Sequence, residues 1–282
     1  MVVKNKIVLV TGGTGTIGKI VVKKLVEKKY KVLVLSRKKH KNSANITYLM
    51  GNINDNIKLN KCDYIIHLAA CLDGRDKENC NLVNVEGTKN ILNLAKKIKI
   101  KKMVYVSTIM VFQNSQEKLR GENWKKKSWS DNAYVDSKIK AEMIVKKSLV
   151  PVVSVYPTAV LDLKNRGEPY GSVIAKSLWK IAGGFNGCVN CLIGSGNRIL
   201  NYALVEDVAE GIILALEKGK IKENYILGGE NIKISEYLKK MARYYKTHVF
   251  PIRIPSFFSK NIEMNFSSQK AMDELGYKPK TI

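Results

Sequence analysis

Short apolar runs and amphipathic stretches alternate through the first 160 residues of this chain. The runs fall at Ile7–Val10, Val32–Leu35, Ile46–Leu49, Tyr64–Leu68, Met103–Val106 and Val152–Val155. They are apolar almost throughout rather than at every second position, as expected of parallel strands covered on both faces. Between them, apolar residues three and four apart predict helices over Ile17–Lys28, Leu82–Lys97 and Val135–Lys147. Strands alternating with helices in this way predict an α/β fold with a doubly wound parallel sheet. After Asp162 the periodicity loosens and glycines punctuate the chain at Gly183-Gly184, Gly187 and Gly194-Ser195-Gly196. Val205–Leu216 reads as a helix that packs back on the sheet and Asn224–Leu227 as a short strand. Ser235 is placed to cap a helix over Glu236–Tyr245. We therefore expect one domain over residues 1–161, with 203–227 returning to it, and a smaller, partly interleaved lobe over 162–202 and 228–282.

The first strand runs directly into Thr11-Gly12-Gly13-Thr14-Gly15-Thr16-Ile17-Gly18 and then a helix. Glycines at Gly12, Gly15 and Gly18 allow a tight turn and a close approach of backbone to a pyrophosphate. The helix N-terminus behind them offers free N–H groups and partial positive charge. A glycine triplet alone is weak evidence, but its position between strand and helix makes it a dinucleotide-binding signature of the Rossmann type. The second strand ends in Ser36-Arg37-Lys38-Lys39. An acidic residue there would hold an adenine ribose 2′-hydroxyl and favour NAD, whereas Arg37 is suited to a 2′-phosphate. The expected cofactor is NADP (NADPH), with NAD as the alternative.

Tyr134 and Lys138 stand four apart in a helical segment and so share one face. A phenol with a pKa near 10 is a poor acid–base catalyst at neutral pH, and a neighbouring lysine cation would lower it. Upstream, the strand Met103–Val106 ends in Ser107-Thr108, at the carboxyl edge of the sheet where such folds bind ligands. A hydroxyl at that edge can hydrogen-bond a substrate oxygen while Tyr134 exchanges its proton. Tyrosine and lysine at this spacing are common in lysine-rich helices, so the pair acquires meaning only with its surroundings.

Those surroundings resemble the extended short-chain dehydrogenases/reductases, also called the NAD-dependent epimerase/dehydratase family. The resemblance runs through Thr11–Gly18, His67-Leu68-Ala69-Ala70, Asn84-Val85-Glu86-Gly87-Thr88, Val106-Ser107-Thr108 and Tyr134–Lys138. It continues through Tyr156-Pro157-Thr158, Val205-Glu206-Asp207-Val208-Ala209 and Leu275-Gly276-Tyr277-Lys278-Pro279. It implies an oxidoreductase or epimerase in which Tyr134 is the general acid/base, Lys138 its partner and Thr108 the third member. It also implies that Gly12, Thr14, Gly15, Thr16, Ile17, Gly18, Ser107, Tyr134 and Lys138 meet the cofactor. Leu68, Ala69 and Ala70 would line its pocket, Pro157 would lie near the nicotinamide, and Asn52 and Ile53 would meet the adenine. His67 is expected to be a buried structural residue. The C-terminal lobe would bind substrate.

Within that family the chain carries departures. The arginine that grips a nucleotide diphosphate falls at Leu200, with Arg198 two residues earlier, and a strand-end asparagine falls at Ala159. Ile109-Met110 follow Thr108 where dehydratases carry Asp-Glu. The segments Ala215–Gly219 and Tyr225–Asn231 resemble the dihydroflavonol-reductase-like branch, which includes proteins labelled hopanoid-associated sugar epimerases. The expectation is NADPH-dependent reduction of a small carbonyl compound. The alternatives are sugar epimerisation with tightly bound NAD, or a non-catalytic dinucleotide sensor.

Bulk composition changes this picture little. The formal charge is +25, but of 49 basic residues only seven are arginine. The 42 lysines are scattered, which argues for biased residue usage rather than a nucleic-acid surface. No stretch approaches the about 20 apolar residues that span a bilayer. The N-terminus shows no secretory pattern, so a cytoplasmic location is expected. Five cysteines and three histidines fit neither a disulfide framework nor a zinc site, and Cys188-Val189-Asn190-Cys191 stands alone. Family members often dimerise through the Leu82–Lys97 and Val135–Lys147 helices, and the apolar positions there are compatible with a homodimer.

Overall fold

The computed structural model describes residues 6–113, 118–128, 132–165, 189–193, 196–246, 250–254 and 263–282. Cys188 and the glycines from Gly183 to Gly194 lie outside them. Seven parallel strands form the central sheet: β1 (Ile7–Thr11), β2 (Lys31–Ser36), β3 (Ile46–Met50), β4 (Tyr64–His67), β5 (Lys102–Val106), β6 (Val152–Pro157) and Asn224–Leu227. The spatial order runs from Asn224–Leu227 through β6, β5 and β4 to β1, β2 and β3. The order reverses between β1 and β4, which lie side by side with Thr11 opposite His67. Helical connections leave opposite faces at that point, so the strand ends part there and open a crevice.

Helices cover both faces, which is why the strands are apolar on both sides. Helix α1 (Thr16–Glu27) packs with α5 (Val205–Lys218) over Val8, Val10, Val34, Ile66, Val104 and Val155. Ala271, Leu275 and Tyr277, on and just after α7 (Gln269–Leu275), join the same cluster. On the other face α3 (Gly87–Lys97) and α4 (Ala133–Lys147) bury Leu9, Ile65, Met103 and Tyr105 with Ile91, Ala95, Ala141 and Val145. Burying one such aliphatic side chain contributes about 1.5–3 kcal/mol.

Two helix starts differ from the periodicity. The stretch expected as a helix from Leu82 begins earlier, as α2 (Lys77–Cys80), and passes through a π-helical turn at Asn81–Glu86 before α3. Ser235 does not cap its helix. It lies inside α6 (Ile234–Tyr245), whose first residue follows directly on a strand, and no side chain caps it. A three-stranded sheet of Ala159–Leu161, Ile199–Leu204 and Glu230–Lys233 and a parallel pair of Val189–Ile193 with Phe250–Ile254 complete the described strands.

Candidate active site

The glycine turn forms the floor of the crevice. Gly12 has φ +71°, a left-handed conformation that disfavours any side chain. A Cβ on it would come within 2.7 Å of the Ala69 nitrogen and 2.8 Å of the Leu68 carbonyl carbon. On Gly18, a Cβ would lie 2.1 Å from the Gly12 oxygen, so this glycine lets α1 start against the turn. Gly15 is different. It caps α1 with ordinary extended backbone, and a Cβ there would meet only the Gly12 oxygen, at 3.3 Å. Its outer side is open. No side chain caps the helix and no acidic residue stands in its first turn, so the N–H groups at Thr16 and Ile17 point into an unhindered space. An anionic pyrophosphate fits that cradle, with Thr14 beside it.

The neighbouring segments are fixed from within. Thr11 donates its hydroxyl to His67 Nδ1 (2.7 Å), His67 Nε2 donates to Thr88 Oγ1 (3.0 Å), and Thr88 donates to the Asn84 carbonyl (2.6 Å). This order sets the histidine tautomer, because Thr88 has already committed its proton. Burial holds the His67 pKa down near about 3, with repulsion from Lys138 a smaller cause. His67 is therefore a neutral bridge between β1, β4 and α3. The Ala69 N–H donates to Thr11 Oγ1 (3.3 Å), which places Leu68, Ala69 and Ala70, all half-buried, along the crevice wall.

At the end of β2, Ser36 Oγ accepts the Lys38 N–H and faces His40 Nε2 at 3.1 Å, and Arg37 is exposed. Asn52 is exposed too. Its Oδ1 accepts the Asn54 N–H (3.2 Å), leaving its amide NH₂ as the donor toward a base. Ile53 turns inward. It is buried in the α3 core, where a Cβ on Gly87 would meet it at 2.9 Å.

On the other side of the crevice stand the residues of α4. Asn132 caps the helix by accepting the Val135 N–H (3.2 Å), so Tyr134 falls in the first turn and Lys138 one turn on. Thr108, two residues past the end of β5, is the neighbour that draws the pKa of the Tyr134 phenol down. Lys138 is fully buried. Its ammonium donates to the Val106 carbonyl (2.8 Å) and lies 4.4 Å from the centre of the Tyr105 ring. Burial lowers its pKa to about 8, and the charge of Glu142 works against that.

The phenol departs from expectation. Burial raises Tyr134 to about 12, and the group that pulls it down is Thr108, not Lys138. The reason is geometric: the Lys138 ammonium is held on the main chain of β5.

Two residues at this site, Glu142 and Lys126, were not indicated by the sequence, and Asn84 entered only as part of a motif, without a role. Asn84, in the π-helical turn, accepts the Cys71 N–H (2.7 Å) and donates to the Cys71 carbonyl (2.9 Å) and to Ser137 Oγ (2.8 Å). It thereby ties the wall after β4 to α4. Ser107 donates to Glu142, which also binds Lys126, and Pro157 is buried at the end of β6. Glu142 follows Lys138 by four residues, so helical spacing could have indicated it. Lys126 comes from another element and carried no such signal.

A model of the NAD dependent epimerase/dehydratase family matches residues 8–228, spanning this crevice from the glycine turn to the last strand of the sheet. The chain belongs to that family. A Synechocystis protein provisionally named dihydroflavonol 4-reductase is 29% identical, the match covering 83% of this chain and 71% of that one. A human dTDP-D-glucose 4,6-dehydratase is also 29% identical, over 79% of this chain and 69% of that one. A crystal structure of a UDP-glucose 4-epimerase from Thermotoga maritima, solved with UDP-glucose, superposes with a TM-score of 0.80 at 22% identity. That superposition covers 98% of this chain and 94% of the epimerase. Leu200 and Ala159 lie on adjacent strands of the three-stranded sheet. Among the described residues no helix is long and apolar enough to cross a membrane.

Proposed function

We propose that this protein reduces a small carbonyl compound with NADPH, using Tyr134 as proton donor, Thr108 as the hydroxyl that orders the donor and substrate, and Lys138 as the adjacent cation. The observation that carries this reading is that Thr108 acts on the Tyr134 phenol beside the glycine-floored crevice, with the Lys138 ammonium buried one helical turn along and held on the Val106 carbonyl. When bound, the dinucleotide supplies the hydride. Gly12, Thr14, Gly15, Thr16, Ile17 and Gly18 would hold its pyrophosphate. Arg37 would meet a 2′-phosphate, and Asn52, Ile53, Leu68, Ala69, Ala70, Ser107 and Pro157 would flank the rest.

The protonation states favour the reducing direction. A phenol held near 12 is protonated at neutral pH, which suits donation to a developing alkoxide better than abstraction from an alcohol. Lys138, near 8, is mainly an ammonium at pH 7 and supplies the positive charge of the site. Leu200 in place of the diphosphate-gripping arginine, and Ile109-Met110 after Thr108, weigh against a nucleotide sugar and against dehydration. Exposed Leu82 and Met143, on the segments that carry α3 and α4, support the expected homodimer.

The test is consumption of NADPH, followed at 340 nm, against a panel of aldehydes and ketones. We expect turnover in the native chain and its loss in Tyr134→Phe with NADPH affinity retained. Turnover unchanged in Tyr134→Phe refutes the assignment. NAD released only on denaturing the purified protein would point to epimerisation. NADPH binding without turnover of any substrate would point to a sensor.

A further inference from the structure

Beneath the site lies a buried polar cluster that the proposed chemistry does not use directly. Glu142 is on α4, one turn after Lys138 and two after Tyr134, and is buried. One of its carboxylate oxygens accepts the Ser107 hydroxyl; the other accepts the Lys126 ammonium and the Tyr156 hydroxyl (3.2 Å). Lys126 arrives from the segment after β5 and also donates to the Tyr156 hydroxyl (2.6 Å). It lies 4.7 Å from the Tyr156 ring centre and 5.6 Å from that of Phe112. Ser107 immediately precedes Thr108, and its N–H is bound to the Val155 carbonyl (2.8 Å). The carboxylate therefore grips the strand end that presents Thr108 while standing on the helix that presents Tyr134 and Lys138.

We propose that Glu142 is a positioning residue for this site, keeping Lys138 in its ammonium form and Thr108 in register with Tyr134, and that Lys126 limits how strongly it does so. An ammonium taken out of water needs a compensating negative charge to stay protonated. The other groups facing Lys138 supply none. From β5 come the Val106 carbonyl and the Tyr105 phenol, from β4 the neutral His67, and from α4 the protonated Tyr134. Glu142 is the acidic residue whose charge acts on Lys138, and Lys126 is its counter-ion.

This rests on Lys138 being the site's cation, as read above, so the test does not depend on turnover. The lysine side chains are labelled with ¹³C at Cε, and the resonance titrating near 8 is assigned by its loss in Lys138→Arg. We expect Glu142→Gln to lower its midpoint by about one pH unit or more and Lys126→Met to raise it, with Glu142→Asp close to native. Opposite displacements are the signature of a charge pair. A purely structural role would loosen the core, admit water to Lys138 and raise the midpoint in both variants. Movement in one shared direction, or no movement in either, overturns the proposal. If melting shows Glu142→Gln unfolded, Lys126→Met decides alone, and a midpoint that fails to rise overturns it. Where turnover is measurable, the basic limb of kcat/KM should follow the same two directions. Expected midpoints without turnover would refute the catalytic reading and leave this one standing.

Discussion

Substituting alanine at Gly12 and at Gly15 should separate folding from cofactor binding within one four-residue turn. At Gly12 the left-handed backbone costs a side chain about 1–2 kcal/mol. The added carbon would also stand 2.7 Å from the main chain of Ala69, an atom of β4's continuation that cannot rotate away. Forcing backbone apart in a packed core adds about 1–3 kcal/mol. Gly12→Ala should thus lose about 2–5 kcal/mol, which at about 2–4 °C per kcal/mol lowers Tm by roughly 4–20 °C. At Gly15 the backbone is ordinary and the new carbon meets only the Gly12 oxygen at 3.3 Å. Loss of glycine at this cap position costs about 0.5–1 kcal/mol, roughly 1–4 °C. The methyl group would nonetheless fill the open side on which the pyrophosphate is placed. NADPH affinity, measured by quenching of protein fluorescence, should weaken at least tenfold, or about 1.4 kcal/mol. Gly15→Ala with native affinity, or Gly12→Ala with native Tm, would refute the division of roles argued for this turn.

Arg37→Ala should weaken NADPH binding about tenfold or more and leave NADH binding unchanged, a charge-specific loss worth about 1.4 kcal/mol; equal weakening of both would exclude a 2′-phosphate contact. His67 makes stability depend on pH. Its folded pKa, about 3, lies below the unfolded value near 6.5, so its contribution is complete above pH 6.5 and is lost as pH falls toward 3. Urea unfolding between about pH 6 and pH 4 should show a slope near 1.4 kcal/mol per unit from this group, and His67→Asn should lose about one proton's worth of it. Lys29 and Lys99 hold left-handed positions after α1 and α3, with φ of 67° and 51°. Glycine at both should stabilise the chain by about 1–2 kcal/mol in the same assay, because the strain at each exceeds the entropy glycine adds to the unfolded chain. A loss of stability would contradict that balance.

Much of the site was legible before the fold because its chemistry is local. The strand–glycine–helix succession at Ile7–Leu25 carries its own backbone requirements, and Tyr134 and Lys138 share a helix face by spacing alone. What misled was the assumption that nearness along a helix means coupling. Lys138 and Tyr134 are one turn apart, but the ammonium binds the Val106 carbonyl and the group that draws the phenol's pKa down is Thr108. Ile53 was expected, by resemblance, to meet the adenine, and in the fold its side chain also packs into the space left by Gly87 on α3. Ser235 looked like a cap because serine commonly is one, while the preceding strand had already fixed where α6 begins.

By itself the sequence determined the α/β alternation, the strands that would be buried on both faces, the turn that must be glycine, and the residue types able to move a proton. Those follow from periodicity and from backbone sterics, which act over a few residues. Only the tertiary structure decided that β1 and β4 part to make the crevice, that Thr108 rather than Lys138 draws the phenol's pKa down, and that Glu142 and Lys126 lie beneath both. Those outcomes depend on which elements pack together and on the water excluded between them, and no neighbour in sequence carries that information.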